Sequence, residues 1–249
     1  MENYENQKPF VKATVLETSA TRPIAKTFMA NVFLWMFAAL GVSTFFAVWF
    51  ANSPAMLQML INAEGTGLNF LGWAVMLSPI GFVLLMSLRF QRLSMPAMIT
   101  LFMLFAVIMG ISLSFTLLAY TASSVVGVFA ASSAMFGVMA VLGYTTDKDL
   151  TSFGRLMMMG LIGILIASVV NWFMNNSTLD YIISIVGVMV FTGLTAYDVQ
   201  KLKRIGEGVE YEGIDTTSAR KMSVLGAMTL YLDFVNLFLM LLRLFGRRD

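Results

Sequence analysis

The chain contains no cysteine and no histidine in its 249 residues. Without cysteine there is no disulfide, no thiol nucleophile and no thiolate metal site. Without histidine there is no histidine-based triad, no histidine-ligated zinc, and no side chain whose ordinary titration falls near neutral pH. Any response to pH in that range is left to carboxyl groups or to the amino terminus. Charge is scarce as well: 12% of residues are charged and 58% are hydrophobic, whereas a soluble domain carries roughly 25% charged residues. The net charge of +2 comes with no basic patch interleaved with stacking aromatics, so nucleic acid is not an expected partner. No nucleophile is paired with a base. The chain is therefore not read as an enzyme, and no resident cofactor is expected.

What is present is apolar sequence in long runs. Seven segments approach or exceed the ~20 residues that a bilayer requires: Phe28–Phe50, Leu71–Leu88, Met98–Tyr120, Ser124–Tyr144, Met157–Phe173, Tyr181–Asp198 and Met222–Leu242. The expected fold is an all-α integral membrane protein whose seven spans form one domain over residues 28–249, preceded by a polar, flexible cytoplasmic tail at 1–27. Pro54–Ile61 reads as a short surface helix. Pro79 should bend the second span and free a carbonyl. Gly127, Ser132, Ser133 and Gly137 of the fourth span and Gly160, Gly163 and Ala167 of the fifth are small enough to let helices approach closely. The 21 methionines are spread over most spans as soft packing.

Basic residues fix the expected orientation. Lys8, Lys12, Arg22 and Lys26 precede the first span; Arg89 and Arg92 follow the second; Lys148 and Arg155 follow the fourth; Lys201, Lys203, Arg204, Arg220 and Lys221 follow the sixth. The intervening loops contain no Lys or Arg. The amino terminus is thus placed in the cytoplasm, and seven spans put the carboxyl terminus outside. Arg243, Arg247 and Arg248 break the rule, so either they snorkel at the outer interface or one segment is re-entrant.

Of 14 acidic residues, only Asp198 and Asp233 fall within the apolar runs. Asp233 is 11 residues into its span, roughly 16 Å deep at 1.5 Å per residue. A carboxyl group at that depth calls for a partner, a cavity or a function. In the last span Gly226, Thr229, Asp233, Asn236, Met240 and Arg243 share one stripe about 100° wide. In the sixth, Ser184, Gly187, Phe191, Thr195 and Asp198 share a face. A link of about 20 residues lets the two helices bring the carboxyl groups together. The plainer alternatives are an interfacial Asp198 paired with Lys201 one turn on, and an Asp233 that only anchors neighbouring helices.

"TAYDVQKLKR" followed by "LYLDFVNLFLMLLRLFG" resembles the paired signature of the Bax inhibitor-1 (transmembrane Bax inhibitor motif) family. The elements "YLDF-NLF" at Tyr231–Phe238 and "YD-Q" at Tyr197–Gln200 carry the likeness, which runs over all seven spans. The resemblance implies a seven-helix bundle with a central last helix wrapped by the other six, in a bacterial inner membrane. It further implies a pH-sensitive calcium leak whose aspartate pair, here Asp198 and Asp233, shares a proton. An arginine at the end of the second span, here Arg89 or Arg92, would latch to that pair. Thr195, Thr229 and Asn236 are the added candidates for the ion pathway, with calcium or another cation held transiently by the two aspartates. The alternative is a regulatory protein that binds a membrane protease or stress-response partner through the tail. Proton-coupled transport is a third reading. The charge pattern generates a direct expectation: a reporter fused at Asp249 reads outside while one fused at the amino terminus reads inside. A cytoplasmic signal from Asp249 would favour the re-entrant arrangement.

Overall fold

The structure, a computed structural model, describes residues 24–62, 67–89, 92–211 and 215–248. Most of the tail at 1–27 lies outside the described residues. Eight helices follow in order: α1 (Ile24–Ala51), α2 (Pro54–Gln58), α3 (Phe70–Leu88), α4 (Met95–Ala119), α5 (Ala122–Thr145), α6 (Thr151–Met174), α7 (Ser177–Tyr211) and α8 (Thr216–Phe245). All except α2 are long and apolar enough to cross a membrane. In hydrocarbon the backbone must satisfy its own polar groups, which a helix does within one segment. The chain is an integral membrane protein with seven transmembrane helices.

Short polar residues punctuate the bundle. Asn69 accepts from the Gly72 amide at 2.9 Å and starts α3. Asp215 accepts from the Ser218 amide and hydroxyl, each at 2.7 Å, and starts α8. Asn175 ends α6 in the left-handed region at φ 49°. Pro79 lies inside α3 and cannot donate to the carbonyl four residues back, which belongs to Val75. The Ser78 hydroxyl donates to that carbonyl instead, at 3.0 Å, so the freed acceptor is satisfied locally.

The last helix is central. α8 packs against α1, α4, α5 and α7, and α7 is nearly as enclosed. The other helices do not wrap α8 evenly, as the family likeness implied. α3 leans chiefly on α4, and α6 on α7. Both present broad apolar faces outward, Leu156, Met159, Ile162, Leu165 and Val169 among them on α6.

Sixth and seventh spans are longer than hydrophobicity alone indicates. α7 runs 13 residues past Asp198, to Tyr211, so residues 212–215 alone join it to α8 rather than a link of about 20 (that reading stopped the sixth span at its last apolar stretch, as window hydropathy does). The extension stays helical because Leu202, Gly206 and Val209 form a buried stripe. Phe28 packs at Gly206, and Glu210 accepts from the Ala25 amide at the start of α1 at 3.1 Å.

Both chain ends are tied to opposite ends of the bundle. The start of α1, the α5–α6 loop and the α7–α8 turn lie together. At the other end the Thr121 amide donates to the Arg247 carbonyl at 3.0 Å, and Arg243 meets Asp180 at 3.5 Å. Arg248 lies over the Tyr120 ring at 5.7 Å. The basic residues that break the charge rule therefore each have a seat near the end of α8.

Close helix approach occurs at other glycines than those picked from the sequence. A Cβ at Gly127, Gly137 or Gly163 would meet nothing within 4 Å. At Gly143 it would collide with the Ala196 backbone, and at Gly154 with the Tyr197 ring. Gly160 does face a neighbour, Val190. A second tie is polar. Ser43 Oγ donates to the Ala106 carbonyl at 2.7 Å, which leaves the Tyr231 hydroxyl to donate to Ser43 Oγ, also at 2.7 Å. The chain of bonds links α8, α1 and α4, with Tyr231 boxed by Phe102 and Phe105. Gly143→Leu is expected to cost about 1–3 kcal/mol through overpacking, read as a lower unfolding midpoint in detergent, whereas Gly137→Leu leaves the midpoint in place. Equal effects would show that the α5–α7 contact is not tight.

Candidate functional site

The segment Thr195–Gln200 is seated residue by residue. The Ala196 backbone rests where Gly143 has no side chain, and the Tyr197 ring lies on Gly154. Gln200 is buried and clasps the α5–α6 loop: its Nε2 donates to the Lys148 carbonyl at 2.7 Å, and its Oε1 accepts from the Leu150 amide at 2.9 Å. One turn on, Arg204 pairs with Asp149 at 2.9 Å. Hydrogen bonds from the Thr151 hydroxyl and amide, with Arg204, hold the exposed Asp149 carboxyl down to about 2 from its ordinary 3.8. A depressed carboxyl contributes stability above its ordinary value and loses it only as pH falls through the lower one. This clamp stays charged across the neutral range, so it is a support and not a pH switch.

Held this way, Asp198 faces α8. Its carboxyl group lies beside that of Asp233. Two ionised carboxylates are acceptors only, so a hydrogen bond between them needs one to carry a proton. Both residues are buried, 9% and 6% exposed. Asp233 Oδ2 and Thr192 Oγ1 are the buried side-chain oxygens without a hydrogen-bond partner among the described residues. An unsatisfied buried group costs about 1–3 kcal/mol. Spacing gave no sign of Thr192, a lone hydroxyl in an apolar stretch.

A cavity of about 230 Å³ lies between α7 and α8 beside Asp198, lined by Asp198, Lys201, Leu202, Met222, Gly226 and Thr229. Asp198 stands in its wall and Asp233 lies behind it. The Thr195 and Thr229 hydroxyls donate to the carbonyls of Phe191 and Leu225, at 2.8 and 3.2 Å. Their oxygens keep lone pairs for a cation. Asn236 is half-buried on the same stripe. Beyond it Met240 packs where Gly187 has no side chain and is 8% exposed, which closes the stripe toward the far end.

The model for the family described as "Inhibitor of apoptosis-promoting Bax1" matches residues 25–249. The chain is 44% identical to the inner membrane protein YbhL of Escherichia coli K12 over 223 residues, 90% of this chain and 92% of that one. It is 38% identical to a protein of Borreliella burgdorferi over 90% of this chain and 94% of the relative, and 36% identical to one of Rickettsia prowazekii over 90% of each. The chain belongs to the Bax inhibitor-1 family. The signature quoted from the sequence is thus the packing unit just described: Ala196 and Tyr197 on two glycines, Asp198 inward, Gln200 on the loop, and Tyr231 and Asp233 facing from α8.

The arginines stand elsewhere. Arg89 and Arg92 are exposed near the end of α3, and neither forms an ion pair with Asp198 or Asp233. The cation that shares the cavity with Asp198 is Lys201. Among the described residues there is no group of three or more acids of the kind that holds a metal. The pair is too sparse for a resident calcium, which takes 6–8 oxygens. Gln200→Ala should release the α5–α6 loop, with faster hydrogen exchange at the Leu150 amide and a loss of about 1–3 kcal/mol for the groups left unpaired. Unchanged exchange at Leu150 would show that the clasp does not hold the loop.

Proposed function

We propose that this protein is a pH-sensitive cation leak of the bacterial inner membrane, with calcium as the transported ion and the amino terminus in the cytoplasm. The observation that carries the reading is the placing of the Asp198 and Asp233 carboxyl groups side by side, with Asp198 in the wall of a cavity. Two carboxylates with the Thr195 and Thr229 hydroxyls and the Asn236 amide give a cation several oxygens, too few to hold it for long. That suits passage rather than storage.

The gate follows from counting protons. With both groups ionised, two like charges face each other in a poorly hydrated site, and a basic group is drawn in. Arg89 or Arg92 supplies it if the end of α3 swings toward α7 and α8. One added proton lets the carboxyl groups bond to each other and releases the arginine, a reading supported by Arg89 and Arg92 standing unpaired with either aspartate. A tenfold change in open population needs only about 1.4 kcal/mol.

Reconstitution in liposomes tests this. Calcium flux is expected to rise on acidification between about pH 8.5 and about 5.5, a window around the ~6.5 of the absent histidine. Asp198→Asn and Asp233→Asn should each fold yet lose the step, since either leaves a single carboxyl without its like-charged neighbour. Arg89→Gln and Arg92→Gln, assayed separately, identify the latch by raised flux at high pH. If both aspartate variants keep the wild-type profile, the pair is structural, and the reading as a regulator of a membrane protease or stress-response partner takes its place.

A further inference from the structure

At the end of the bundle opposite the aspartate cavity, two clefts meet at one side chain. An apolar cleft of about 570 Å³ runs between α3, α4 and α8, past Met76, Pro79, Leu113, Thr116 and Leu239, and ends at Arg243. A polar cleft of about 490 Å³ begins at the same Arg243 and is lined by Asn171, Asn175, Asn176, Asp180 and Arg248. Trp172 lines the polar cleft, and its ring lies 6.4 Å from that of Trp73 on α3. Both rings are exposed. Exposed tryptophans at helix ends mark the level of lipid headgroups.

The chemistry of the polar cleft is specific. Arg243 and Asp180 touch at a single 3.5 Å contact, with side chains 41% and 37% exposed, so each retains most of its hydrogen-bonding capacity. Arg248 is held in place by the bonds that tie the chain end to the α4–α5 turn, Thr121 to Arg247 and Arg247 to Ser124, both 3.0 Å. Asn171 and Asn176 accept from backbone amides through their oxygens, at 3.1 Å each, which leaves their NH2 groups as donors. Two arginines and two amide donors suit a phosphate. One carboxylate beside them suits an ammonium. The excess of positive charge disfavours a bare cation, so this cleft is not the far mouth of the ion path.

We infer that the joined clefts bind a glycerophospholipid whose headgroup carries both a phosphate and a primary ammonium, a phosphatidylethanolamine. The phosphate lies between Arg243 and Arg248, the ammonium on Asp180, and one acyl chain along Leu113 and Leu239 in the apolar cleft. The choline analogue has no N–H to donate to Asp180, and the glycerol analogue has no cation for it.

Native mass spectrometry of the full chain in detergent, with equal amounts of phosphatidylethanolamine, phosphatidylcholine and phosphatidylglycerol of one acyl composition, tests the site. The ethanolamine lipid is expected on the protein about tenfold over either competitor, the worth of one charge-assisted hydrogen bond. Asp180→Asn should bring the glycerol lipid level with it. Arg248→Gln, at a position beyond the last helix, should lower every phospholipid adduct, as should Thr116→Phe, which fills the acyl cleft from a different helix. Equal retention of the three lipids by the wild type would overturn the inference, as would an ethanolamine adduct undiminished in both Arg248→Gln and Thr116→Phe.

Discussion

A carboxyl group within the hydrocarbon layer has no water to turn to, and two of them side by side cannot both be charged without an answering cation. Placing one aspartate at the centre of a spanning helix costs about 2.5–3.5 kcal/mol on insertion scales. This chain places two, on consecutive helices, and sets them beside each other. Much of the bundle follows from that constraint. α7 and α8 have to be its two most enclosed helices, because neither can show its polar stripe to lipid. They lie against each other, and α1, α4 and α5 shield them. The apolar α3 and α6 are left for the outside.

Rigid ties hold the two helices that carry the pair. Gly143 and Gly154 fix the turn that carries Asp198, Gln200 and Arg204 anchor the turn after it, and the Tyr231–Ser43–Ala106 bonds fix α8 two residues before Asp233. The ties of α3 lie at its start, where Gly72 seats on the Leu60 carbonyl and Asn69 donates to the Met59 and Ile61 carbonyls. The helix rests on α4, is interrupted by Pro79, and carries the two arginines at its end. The proposed gating draws on this division, with strong contacts at the pair and few between the pair and the helix that would move.

The sequence made the membrane architecture legible because length and hydropathy decide it almost alone. The seven spans, the polar stripe on α8 and the inward face of α7 all follow from apolar periodicity interrupted by rare polar residues. The pairing of Asp198 with Asp233 was legible for the same reason, since a buried acid in a span has few places to go. What was not legible depends on neighbours. Which glycines touch another helix turns on rotation about the axis, so Gly127 and Gly137 look like contact points while Gly143 and Gly154 are the ones that serve. The extension of α7 to Tyr211 was hidden because its buried stripe is only three residues wide and set among charges, which a hydropathy window averages away. The clasp by Gln200 has no local signature at all. It needs a loop 50 residues earlier in the chain.

The two polar regions of the bundle also have opposite electrostatic character, and this bears on direction. Around the pair the fixed charge is acidic, with Lys201 at the rim; at the far end Arg243 and Arg248 outnumber Asp180. A cation leaving the pair toward that end meets Met240 first and then a positive field. A path through the far cleft would need both obstacles removed at once. For the proposed leak, a route away from the pair would therefore avoid the end of α8, where Met240 and the two arginines stand against it.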